Sequence, residues 1–164
     1  MSGLSGKWST WAPRLLSILR IVAAFMFIQA GTMKLLAFPI GMPPDNSTAM
    51  LMSQVGIAGI LEAFGGLLLL LGLFTRPIAF ILSGEMAVAY FQFHFPQSFW
   101  TVVNNGIPAA LYCFVWLYFS AAGPGPWSLD ELFQRTRSRR AEGHHNIGTE
   151  VSSFQALRKG LPPG

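Results

Sequence analysis

The stretch from Val55 to Pro77, VGIAGILEAFGGLLLLLGLFTRP, limits what this chain can fold into more than any other. From Val55 to Phe74 it supplies about the ~20 apolar residues that cross the ~30 Å hydrocarbon core of a bilayer, yet it carries one carboxylate, Glu62. At helical spacing Glu62 shares its face with Val55, Ala58, Gly59, Gly65, Gly66 and Leu69, small residues that let other helices approach closely. Ile57, Ile60, Leu61, Phe64, Leu67, Leu68 and Leu71 form a bulky opposite face suited to lipid. Glu62 is therefore expected to point into a bundle.

The remainder of the chain agrees with a membrane setting. Hydrophobic residues make up 52% of it and charged ones 11%, too oily for an ordinary soluble domain of 164 residues. The excess of 11 Lys and Arg over 7 Asp and Glu is placed at span ends and in the tail, so it reads as a topology signal and not as a nucleic-acid footprint. A single cysteine, Cys113, excludes an internal disulfide or a CxxC redox pair.

The expected fold is all-α: an integral membrane antiparallel four-helix bundle with a short cytoplasmic amphipathic helix. Residues 1–13 form an N-terminal segment with Trp11 suited to the membrane interface. A four-span membrane domain occupies 14–122, with spans at about 14–38, 55–74, 78–95 and 99–121. A basic start followed by an apolar run resembles a signal peptide, but three further spans follow and the first is expected to be retained. Pro39, Pro43 and Pro44 break the chain after the first span, and Asp45 or Ser47 is placed to cap an early start of the second. Thr75-Arg76-Pro77 is short enough only for an antiparallel hairpin. Residues 123–141 hold a Gly-Pro turn, the S-x-x-E capping pattern Ser128 to Glu131, and a basic helix expected to lie on anionic headgroups or in solvent. Residues 142–164 show no periodicity and are expected to be disordered; the adjacent His144 and His145 lack the spacing of helical metal ligands. No metal site is expected.

Lys7, Arg14 and Arg20 near the first span, Arg76 in the second turn and the arginines after the fourth span place both termini in the cytoplasm of a multi-pass inner (plasma) membrane protein. With a rise of ~1.5 Å per residue, Glu85 lies roughly 14 Å and Glu62 roughly 21 Å above the Arg76 turn, deep enough to share a pocket. A charge at the bilayer centre costs roughly 2.5 to 3.5 kcal/mol on insertion scales, so both acids must be neutral, paired or hydrated. Glu62 and Glu85 are the candidate proton-transfer residues. Arg20 and Lys34, seven-residue steps along one face of the first span, join Gln92, His94, Asn104, Asn105 and Tyr112 as candidate ligand-binding groups, with Tyr112 extending a chain from Asn105. The competing reading is structural: the acids bond to helix partners, or pair with Arg20 and Lys34, and lock the bundle.

Several motifs together resemble the DoxX family of small four-helix membrane proteins: Arg20 with Gly31 to Lys34 (GTMK), Gly59 to Arg76 (GILEAFGGLLLLLGLFTR), Asn104-Asn105-Gly106, and Ala121 to Leu132 (AAGPGPWSLDEL). The resemblance implies a membrane subunit linked to redox or oxidative-stress complexes, since the family name comes from a subunit associated with a membrane thiosulfate:quinone oxidoreductase. On that footing the chain is a quinone-binding or anchoring subunit, not a self-sufficient oxidoreductase, and its partners are the lipid bilayer and a soluble or membrane redox protein. No cofactor is visible in the residues themselves; quinone enters only through the family. The alternative is a non-catalytic membrane scaffold or transport accessory whose acids are structural.

Overall fold

The computed structural model describes residues 2–138, with side chains from Ser9 onward. Expectations placed on Arg139, Arg140, His144, His145 and the 142–164 tail lie outside the described residues. The described chain is all-helical, with one isolated antiparallel bridge, Met42 to Ser47, in its first long loop. Helix α1 is Ser2–Leu36, α2 is Gln54–Leu71, α3 is Thr75–Ala89 and α4 is Ile107–Ala122. A shorter helix, α5, covers 129–138.

Two of these are long and apolar enough to cross a membrane, α1 over Ser9–Leu36 and α2 over Gln54–Leu71. Helix α3 has 15 residues, and α4 has 16, roughly 24 Å of rise. The fourth segment therefore starts eight residues later than the sequence suggests. The reason is local: Asn105 takes a left-handed φ of 55° and the Asn104 side chain accepts from Gly106 N at 2.7 Å, a turn that helix geometry cannot continue through. Pro108 then fits the first turn of α4, where its missing N–H leaves no bond unmade. The cap on α2 also differs from expectation. Ser53, and neither Asp45 nor Ser47, accepts from Gly56 N at 3.1 Å.

The small-residue stripe of α2 is the packed one. Gly56, Gly59, Glu62, Gly65, Gly66 and Leu69 are buried, while Ile57, Phe64, Leu67 and Leu71 face outward. Close approach explains the glycines. A Cβ on Gly66 would lie 2.8 Å from Ile28 Cγ1, and one on Gly31 of α1 would lie 2.8 Å from the Gly59 carbonyl, so the two helices touch backbone to backbone. Phe27, Leu69, Leu82, Trp116 and Phe119 fill the centre, one or more from each of the four helices. Outside it, Leu15, Ile18, Leu19, Val22, Phe25 and Met26 present a continuous apolar flank of α1 that water would not favour.

At the end where α2 turns into α3, two charged side chains, Asp130 and Arg76, close the backbone. Gly72 ends α2 in the left-handed region, φ 67°, and Leu73 N donates to Leu68 O at 2.9 Å. The Asp130 carboxylate accepts from Phe74 N and Thr75 N, both at 2.9 Å, and so caps α3. Arg76 donates to Ala121 O at 2.5 Å and Ser120 O at 3.3 Å, covering the carbonyl end of α4. The 131–138 part of α5 forms a separate unit, with an Arg135 to Glu131 ion pair of 3.0 Å.

Candidate functional site

Glu62 is 3% exposed and sits in a π-helical turn, Leu61–Gly65, that interrupts α2. A π turn spreads one extra residue over the helix surface and is often found where a side chain must be re-aimed for function. The buried carboxylate forms an ion pair and hydrogen bond with Lys34 Nζ, which crosses from the last turn of α1. A second π turn, Tyr90–His94, extends α3 and carries His94. The His94 Nδ1 donates to the Asn104 carbonyl at 2.9 Å, which fixes the ring.

Between these elements lies a cavity of about 540 Å³, within the range that accommodates a drug-sized ligand. Phe27, Ala30 and Lys34 of α1, Ala58, Leu61 and Glu62 of α2, Glu85, Met86 and Ala89 of α3, His94 of the second π turn, and Ala109 and Tyr112 of α4 line it. Its walls are mostly apolar. Ile57, Ile81, Val88 and Phe93 form part of the lining and are at the same time exposed on the outer surface, so the opening is apolar too. The Glu85 carboxylate is different from its neighbours: both oxygens are inaccessible and neither has a hydrogen-bond partner among the described residues.

Of the candidate residues, the structure brings Lys34, Glu62, Glu85, His94 and Tyr112 to this one cavity. Four others are elsewhere. Gln92 bonds to Gln54, a cavity residue that sequence reasoning passed over, and so ties the start of α2 to the second π turn. Asn104 is buried and supports His94 from behind while its side chain donates to Ser98 O at 2.7 Å. Asn105 is an exposed turn residue. The expected chain from Asn105 to Tyr112 is not formed, because the Tyr112 hydroxyl donates to Ala23 O at 3.4 Å and its ring packs 5.1 Å from Phe27 and 5.6 Å from Trp116.

Arg20 departs furthest from expectation. It is fully buried and bonds to backbone alone: Nε donates to Pro124 O at 2.9 Å, Nη1 to Leu69 O and to Leu70 O at 2.7 Å, and Nη2 to Trp127 O at 2.5 Å. The Leu69 and Leu70 carbonyls belong to the last turn of α2, where intrahelical partners run out, and a guanidinium with five donors serves several acceptors at once. Arg20 is a structural clasp and no part of the cavity. Phe27, Phe93 and Met86 are lining residues that carried no signal beyond their hydrophobicity. Among the described residues, no three His, Cys, Asp or Glu side chains converge on a metal position.

Comparison with known proteins bears on this arrangement. The family model described as DoxX matches residues 15–95, which include Lys34, Glu62, Glu85 and His94. An uncharacterized protein of Haemophilus influenzae is 46% identical over 126 residues, covering 75% of this chain and 93% of the relative. No solved structure matches the chain.

Proposed function

Because the chain belongs to the DoxX family, a group of membrane proteins, we propose that it is a multi-pass subunit of the plasma membrane that binds a hydrophobic redox carrier of the quinone class in the cavity beside Glu62 and Glu85. One observation carries the reading: an apolar cavity of about 540 Å³ collects Lys34, Glu62, Glu85, His94 and Tyr112 from four helical segments. Such convergence of a few polar groups in an otherwise apolar pocket is the usual form of a small-molecule site. The residues suit a quinone ring. Phe27 and Tyr112 offer flat apolar contact, and the opening past Ile57, Ile81 and Val88 suits a ligand dissolved in lipid.

A bound quinone supplies two-electron chemistry coupled to protons, and the electrons come from a partner redox protein. The chain's own residues hold and position. Lys34 fixes Glu62 in place, Asn104 fixes the His94 ring, and Glu85, whose carboxylate has no hydrogen-bond partner among the described residues, is the acid assigned to proton exchange. In this reading four antiparallel spans cross the membrane with both termini cytoplasmic, which the placement of Arg14, Arg20 and Arg76 against the arginine-free loop 37–53 supports. The exposed aromatic residues Phe95, Phe99 and Trp100 of the turn segment 95–106 then sit at the outer membrane interface, where aromatic rings are favoured.

A specific contact favours a second reading, a membrane scaffold or transport accessory. The Lys34 to Glu62 pair already satisfies one of the two acids within the bundle, as a purely structural acid would be. Purification from native membranes separates the two. Quinone found by mass spectrometry in stoichiometric amount supports the first; a stoichiometric partner protein with no bound lipid-soluble molecule supports the second and ends the first.

A further inference from the structure

We infer that the cavity holds its ring by one carbonyl only, which accepts from the Lys34 ammonium and the Gln54 amide, while the rest of the ring lies in the apolar part of the cavity against Phe27 and Met86. The inference rests on the reading that the cavity takes a ring of the quinone class, and it names Lys34 and Gln54 as the residues that set the ligand's orientation. It starts from donors that the fold leaves unused. An ammonium has three N–H groups and a carboxamide two. Among the described residues Lys34 spends one on Glu62 and Gln54 spends one on Gln92, so both line the cavity with donors to spare.

These donors share one end of the cavity. Lys34 is in the last turn of α1 and Gln54 opens α2, on either side of loop 37–53, whereas Phe27 is seven residues before Lys34, roughly 10 Å along the helix axis. Other polar groups of the cavity do not compete for the ring. The Tyr112 hydroxyl is turned to Ala23 O, His94 Nδ1 is spent on the Asn104 carbonyl, and both Glu85 oxygens are inaccessible. The Lys34 side chain keeps 19% of its surface accessible where Glu62 keeps 4%, so the ammonium is the member of that pair a ligand can touch. An N–H that meets only hydrocarbon loses the bond water gave it, so an occupant that brings an oxygen to this end is favoured over hydrocarbon of the same shape. A carbonyl has two lone pairs and can accept from both residues at once. The opposite carbonyl of the same ring then points away from both.

The full chain in detergent micelles is dialysed to equilibrium against empty micelles of the same detergent, so that partition into detergent cancels, with two probes: a fully alkyl-substituted, short-tailed 1,4-benzoquinone and the alkylbenzene of the same substitution that lacks both oxygens. The quinone should bind on the order of tenfold more tightly, the size expected of a hydrogen bond from a charged donor. The infrared spectrum of the bound quinone should show one carbonyl band lowered from its position in empty micelles and one left close to it. Gln54→Leu should weaken the quinone alone, on the order of threefold. The double change Lys34→Met with Glu62→Met should remove the remaining preference, whereas Glu62→Gln, which leaves the Lys34 donors in place, should keep it. The probe comparison and the infrared spectrum need no variant, so a variant that fails to fold leaves the test intact. Equal binding of the two probes, two carbonyl bands that stay or move together, or a preference that survives the double change overturns the inference and leaves the quinone-class reading standing. Failure of both probes to bind a chain that melts cooperatively overturns both.

Discussion

Lys34 and Glu62 form an ion pair across the α1 to α2 contact, and the carboxylate end of it is sealed while the ammonium end is not: their side chains are 4% and 19% exposed, Glu62 being the lower. Breaking a buried pair leaves one group unmatched, which typically costs about 3 to 5 kcal/mol. With Lys34 able to reach water or headgroups, Glu62→Gln is expected near the lower end, about 3 kcal/mol. Replacing both residues with Met should cost less than the two single changes together, read as thermal unfolding in detergent. Strict additivity would show that the two side chains do not act as a pair.

The glycines of the α1 to α2 contact differ sharply from Gly84 on α3. A Cβ at Gly31 would stand 2.8 Å from the Gly59 carbonyl and 2.9 Å from Ala63 Cα, whereas one at Gly84 would meet nothing within 4 Å. Gly31→Ala is expected to destabilise by about 1 to 3 kcal/mol through overpacking. Gly84→Ala should be neutral or stabilise by up to about 1 kcal/mol from helix propensity. Equal melting temperatures for the two variants would contradict the backbone contact.

Arg20 divides its donors among the carbonyls of Leu69, Leu70, Pro124 and Trp127. Lysine has charge but no planar fork, so Arg20→Lys is expected to orphan at least one buried carbonyl and cost about 2 kcal/mol. The same variant should be cut faster by protease within 123–127 than the parent. A melting curve and cleavage rate matching the parent would show that the clasp is dispensable.

Both termini on the cytoplasmic side requires Asn46 and Arg76 on opposite faces of the membrane. In a Cys113→Ala background, a membrane-impermeant maleimide should label Asn46→Cys in intact cells and Arg76→Cys only after permeabilisation. Labelling of both from the same side would reject the four-span topology.

The sequence made the packed face of α2 legible because small residues and one acid recur at helical spacing, and a stripe of that kind has few alternatives in lipid. Glu62, Glu85, Lys34 and His94 were visible as polar groups too costly to bury idly, and they meet in one cavity. Arg20 was misread for an equally physical reason. Two seven-residue steps from Arg20 to Lys34 put both on one face of α1, but they say nothing of the carbonyls of Leu69 and Leu70 that the guanidinium meets at the helix end. The start of α4 was lost because Phe99, Trp100, Val102 and Val103 are as apolar as a span, so hydropathy passes over the turn that Asn104 and Asn105 impose. The two π turns left no trace, since nothing in LEAFG or YFQFH forbids ordinary helix.

The Asp130 cap on Phe74 and Thr75 joins the start of α3 to a residue made much later in the chain. During synthesis, α2 and α3 leave the ribosome well before residue 130, and until then the Phe74 and Thr75 amides that start α3 lack the carboxylate that caps them, whereas Arg20, made earlier, can already serve the Leu69 and Leu70 carbonyls that end α2. The hairpin can enter the membrane early, but its junction is finished only when the segment 124–130 folds back past α4. A chain stopped before Asp130 leaves those two amides without this acceptor, so the last described loop closes a junction laid down 55 residues earlier.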